Sequence, residues 1–162
     1  MRWEAGWRTG EGLLGLDDPA EWDAAFERGE DHLGTAVIGL AFNCPLEEAS
    51  PRIVTVMGFP DGLQRPYAFV AAGHAARLNG RLTPELFAAL RAEGPGGVAE
   101  HPIRDTLTFV PYRDLPPWFK RRRVYLTVRD KLEYWWLRCT DAVEDGRRIL
   151  RGRRFRREDG QD

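Results

Sequence analysis

Two apolar stretches dominate the pattern in the first half of the chain. Residues from Gly34 to Phe42 are apolar almost throughout, and Arg52 to Phe59 is rich in β-branched side chains. Runs of this length and composition predict two buried strands. The polar connection Asn43 to Pro51 would join them as a long-looped hairpin, and Pro60-Asp61-Gly62 is a turn signal. Tyr67 to Ala72 predicts a third strand bending at Gly73. The alternative is a short helix from Tyr67 to Leu78, because alanines recur there. Thr106 to Val110 alternates apolar and polar residues, as does Arg123 to Val128. Each therefore predicts a strand, with Leu107 and Phe109 sharing one face and Val124, Leu126 and Val128 another.

Helices are marked by their ends. Asp17-Asp18-Pro19 predicts a start in which Asp18 caps and Pro19, lacking an N–H, occupies the first turn. Trp22, Ala25, Phe26 and Leu33 would form the apolar side of this helix, which reaches to about residue 31. Thr83-Pro84-Glu85-Leu86 is a second start, with Leu86, Phe87 and Leu90 facing inward and Gly94-Pro95-Gly96-Gly97 as the stop. From Asp130 onward, Leu132, Trp136, Cys139, Val143, Gly146 and Leu150 fall on one line of a helix of roughly 20 residues. Residues 1–16, with four glycines and two tryptophans, read as an irregular arm or edge strand. The expected fold is α+β: a mainly antiparallel sheet of four to five strands, with three helices on one face and the longest at the C-terminus. Residues 1–151 would form a single domain and 152–162 a charged, frayed tail.

Composition removes several chemistries. The single serine, Ser50, lies between Ala49 and Pro51, without the flanking glycines of a nucleophile elbow. Neither lysine follows a glycine-rich loop, which excludes a P-loop, and no G-x-G-x-x-G follows a strand. Cys44 and Cys139 are far apart and form no metal-binding pair of motifs. His32, His74 and His101 are isolated in sequence. Asp17, Asp18, Glu21 and Asp23 lack the spacing of a calcium loop, and a helix start accounts for them. No cofactor is implied. The absence of a signal-like N-terminus or a membrane-length apolar run predicts a cytoplasmic protein that does not engage membranes.

Charge changes the picture more. The chain carries 22 arginines and two lysines, an excess that GC-rich coding sequence also produces. Its formal net charge is only −1, but residues 113–162 hold 15 basic and 9 acidic residues, a net of +6. Such asymmetry points to a polyanionic partner. The densest mixture of aromatic and basic residues runs from Trp118 to Tyr125. Trp118, Phe119 and Tyr125 are candidates for base stacking, and Lys120, Arg121, Arg122 and Arg123 for phosphate contacts. Arg147, Arg148 and Arg151 would extend the footprint. The competing reading plugs Trp118 and Phe119 into the core and leaves the arginines as a solvated face. The expectation is a non-catalytic protein that binds nucleic acid, single-stranded DNA or RNA. Its alternative is an interaction module, such as an inhibitor, immunity protein or adaptor, docking a basic protein through the acidic helix 18–31. An enzyme assembled from scattered arginines and histidines is a third possibility that no motif selects.

Overall fold

The computed structural model describes residues 3–60 and 62–158. Side chains are described as far as Cys139, apart from those of residues 4 and 5. Every regular element among the described residues is helical, so the expected antiparallel sheet is replaced by helices. These are α1 (Glu4–Thr9), α2 (Pro19–Arg28), α3 (Leu33–Asn43), α4 (Leu46–Met57), α5 (Arg65–Asn79), α6 (Pro84–Glu93), α7 (Glu100–Phe109) and α8 (Pro117–Glu158), with short 3-10 turns at Leu13–Gly15, Gly97–Ala99 and Tyr112–Asp114. The chain divides into two compact units, Met1–Phe119 and Lys120–Asp162. That boundary does not coincide with the one expected at residue 151, and the helical backbone continues through most of the expected tail.

The helix starts read from sequence are present. Asp18 accepts hydrogen bonds from the Ala20 and Glu21 amides at 2.9 and 3.4 Å, with Pro19 opening α2. Thr83 caps α6 by accepting from the Leu86 amide at 3.4 Å. Both devices satisfy amides that have no partner within the helix.

The strands expected at 34–42, 52–59, 67–72, 106–110 and 123–128 are all helical instead, each for a physical reason. The first run is α3, and Leu33, Gly34, Ala36, Val37, Ile38, Gly39, Leu40 and Ala41 are all buried. A helix apolar on every side sits in a core, and periodicity alone does not separate it from a buried strand. The second run is the C-terminal half of α4. Its buried residues Leu46, Ala49, Ser50, Ile53, Val56 and Met57 follow helical spacing once the supposed connection 43–51 is included. β-Branching is overruled by this continuous apolar stripe. The third run lies inside α5, the helix that the alanine pattern offered as the alternative. Thr106–Val110 spans the end of α7, where Pro102, Ile103, Thr106 and Leu107 are buried and Phe109 is exposed. Arg123–Val128 belongs to α8, continuous with the expected C-terminal helix.

Within the first unit, α5 lies against α3, α4 and α7, and α3 also packs on α2 and α4. Small residues make this possible: Ala68, Ala71, Ala72, Ala75 and Ala76 of α5 are all buried. Trp7 is also buried, and its indole donates to Glu21 at 3.0 Å. Residues 3–16 are thus a packed helix and turn rather than an arm or edge strand.

Candidate nucleic-acid interface

The expected aromatic–basic run is divided between the two units. Phe119 ends the first. It is 1% exposed, its ring centroid 5.1 Å from that of Phe87 and 4.8 Å from that of Trp118. A ring so enclosed offers no face to a base, so Phe119 belongs to the core. Trp118 is half-buried beside it.

Lys120 opens the second unit. Arg121 is exposed, while Arg122 and Arg123 are half-exposed on successive positions of α8. The Arg122 guanidinium lies over the Tyr125 ring, 5.3 Å from its centroid, an i, i+3 neighbour on the same face. Its Nε is buried and has no hydrogen-bond partner, a donor that costs free energy until an acceptor arrives. Further along, Asp130 and Glu133 engage Arg129 at 3.1 and 3.5 Å. No carboxylate pairs with Arg121 or Arg122 among the described residues. The backbone at Arg147, Arg148 and Arg151 is helical, but these side chains lie outside the described residues.

Part of the acidic helix's charge is committed to arginines of the same unit. Arg28 bonds to Glu21 and Glu30, each at 3.0 Å, and Arg52 donates to Asp23 at 2.9 Å. Of the carboxylates considered for a cation, Asp18 caps the helix and Glu21 and Asp23 pair with arginines. No group of three or more His, Cys, Asp or Glu that could hold a metal ion occurs among the described residues. Ser50 is buried and shares a hydrogen bond with the Thr83 hydroxyl, tying α4 to the start of α6. Cys44 and Cys139 are free thiols. Burial, with Glu48 and Asp17 acting in the same direction, pushes the Cys44 thiol up, so it is a weak nucleophile at neutral pH. No described helix is long and apolar enough to cross a membrane.

Sequence reasoning passed over His74. Its ring lies 4.6 Å from Phe42, in a setting that contains Arg77 and Asp105. Burial, aided by Arg77 and opposed by Asp105, lowers its pKa below the ordinary 6.5. The unfolded chain therefore takes up this proton at a higher pH than the folded one. The stabilisation is complete above the unfolded pKa and is lost as pH falls through the folded value. His74→Phe should flatten the dependence of melting temperature on pH between about pH 7 and pH 5, as thermal melts across that range would show. An undiminished slope in the variant would assign the dependence to other groups.

Comparison of the chain with protein-family models, curated proteins and solved structures yields no match.

Proposed function

We propose that this is a non-catalytic nucleic-acid-binding protein that grips phosphates through the arginines of α8. One observation carries the reading. Arg121 and Arg122 lie on consecutive positions of a long helix with no carboxylate partner among the described residues, and the buried Arg122 Nε has no acceptor. Guanidinium groups present two parallel donors, which suits phosphate. Tyr125, 56% exposed beneath Arg122, supplies a flat face for a base. The net +6 of residues 113–162 supports long-range attraction to a polyanion.

The test is titration of generic single- and double-stranded oligonucleotides at low and physiological salt. Affinity should fall steeply with salt, because each neutralised phosphate releases counterions. Changing Arg121, Arg122 and Arg123 together to alanine should weaken binding and reduce the slope of log K against log salt by about 0.7–0.9 for each phosphate no longer neutralised. A thermal melt of the variant checks that it is folded under the conditions of the titration. No binding to any DNA or RNA at low salt would end this reading. The commitment of Glu21, Asp23 and Glu30 to Arg28 and Arg52 weighs against docking through α2.

A further inference from the structure

The second unit is helical as far as it is described and leaves most of its described large apolar side chains open. Tyr125, Val128, Leu132, Trp135 and Trp136 are 51–66% exposed. A globular surface rarely carries so many together without a partner. Their spacing is regular. Tyr125, Val128, Leu132, Trp135, Cys139, Ala142, Gly146 and Ile149 follow one another at alternating steps of three and four residues. This is the seven-residue repeat of a helix seam that packs against another helix. The backbone is helical across the whole repeat.

The order of sizes along the seam says what covers it. Its N-terminal half carries Val128, Leu132 and Trp135, and its C-terminal half Cys139, Ala142 and Gly146. We infer that α8 pairs with α8 of a second copy of this chain, running antiparallel about a two-fold axis level with Leu137. In that register the inner layers each set a larger residue against a smaller one: Trp135 against Cys139, Leu132 against Ala142, and Val128 against Gly146, each twice by symmetry, while Tyr125 meets Ile149 at the ends. Facing layers of unequal size interdigitate. A parallel, in-register pair would instead oppose Trp135 to Trp135 and Gly146 to Gly146, with crowding in one layer and a void in another.

Charge along the flanks agrees with the reversed register. Lys131 of one copy comes within two residues, about 3 Å along the axis, of the level of Asp145 of the other, again twice. Arg138 falls beside its own equivalent, but it turns back over its own Tyr134 ring, 5.8 Å from the centroid. Trp135 and Trp136 are 66% and 64% exposed, so at about 150–250 Å² per ring the four of a pair can still bury about 400–650 Å². The Val128 and Leu132 layers bring the total toward the ~1,000 Å² expected of a specific interface. A two-fold pair is closed, so association stops at the dimer. Tyr125 and Ile149 end the seam; Arg121 to Arg123 precede it and Arg151 to Arg157 follow it. The pairing rests on Val128 to Gly146 and not on the nucleic-acid reading, with which it shares only Tyr125 at the end of the seam.

Sedimentation of the full chain over a range of concentrations tests the pairing. A dimer is expected, and Leu132→Glu should convert it to a monomer with an unchanged melt of the N-terminal helices. A monomer at every concentration would overturn the proposal. So would a larger assembly, or a dimer that survives Leu132→Glu. A monomer whose tryptophan emission shifts on anionic phospholipid vesicles would assign the seam to a membrane and equally reject the pairing. Orientation is read by cross-linking in a background with Cys44→Ser and Cys139→Ser. Copper–phenanthroline takes two electrons from two thiols, which release two protons as the disulfide forms. Leu132→Cys alone and Ala142→Cys alone should stay uncross-linked, whereas a mixture of the two should cross-link. Cross-linking within each single variant and none between them would reject the antiparallel register.

Discussion

Phe119→Ala should lower folding stability by about 3–5 kcal/mol, the usual cost of truncating a buried aromatic, and leave oligonucleotide affinity unaltered. The ring is 1% exposed, in edge contact with Phe87, which is itself buried. Truncation therefore leaves a cavity that α6 fills only in part. Denaturant unfolding monitored by helical signal, beside a binding titration under conditions where the variant is folded, separates the two quantities. Reduced binding with little loss of stability would return Phe119 to the interface. The same pair of measurements on Tyr125→Ala should show the reverse, about 1–3 kcal/mol of single-strand binding and little stability, because that ring is 56% exposed.

Gly39→Ala is expected to be as damaging as a core truncation, although it adds only a methyl group. Gly39 lies in the middle of α3, where alanine would ordinarily favour the helix. A Cβ there would run into the Leu13 carbonyl, with Leu14 and Leu16 backbone atoms 3.2 Å away. Backbone cannot swing aside as a long side chain can. The 3-10 turn must move off α3, and its buried Leu13 with it. Overpacking of this kind costs about 1–3 kcal/mol and sometimes more. Gly62→Ala is the matched control, since nothing lies within 4 Å of a Cβ there; its effect should stay within about 0.5 kcal/mol. Thermal melts of the two variants make the comparison. Equal, small shifts would mean that the turn on α3 gives way easily.

Local signals are legible wherever the chemistry is local. The starts of α2 and α6 depend on Asp18-Pro19 and Thr83-Pro84, and a cap needs only the two or three residues that follow it. The helical character of 130–150 is also visible, because an apolar line sustained over many turns has no strand equivalent. Sequence and structure part where an apolar run is short or its true start is masked. Residues 34–42 offer no polar face from which to read a period, and a helix and a strand buried on all sides look alike. In 46–57, Pro45, Pro51 and two glutamates make the first half resemble a loop. The buried stripe begins at Leu46, and Pro51 lies within the helix. At the candidate interface, the run from Trp118 to Tyr125 stands out in the sequence for its mixture of aromatic and basic residues. Its division between a core residue, Phe119, and open helix positions is not readable there, because burial depends on what another part of the chain places opposite.

By itself the sequence determined the helix caps, the long C-terminal helix, the imbalance between an acidic N-terminal and a basic C-terminal part, and the lack of recognisable catalytic motifs. These follow from residue type and near-neighbour spacing, which need no knowledge of distant contacts. Only the tertiary structure decided that the β-branched and apolar runs become helices; the stripes of α3, α4 and α7 find their partner in the alanine face of α5. It alone committed the carboxylates of α2 to Arg28 and Arg52 and withdrew Phe119 into the core. It also left Tyr125, Val128, Leu132, Trp135 and Trp136 of α8 exposed. The physical reason is common to all four. The free energy of an apolar or charged side chain depends on what surrounds it, and those surroundings come from residues far away in the chain.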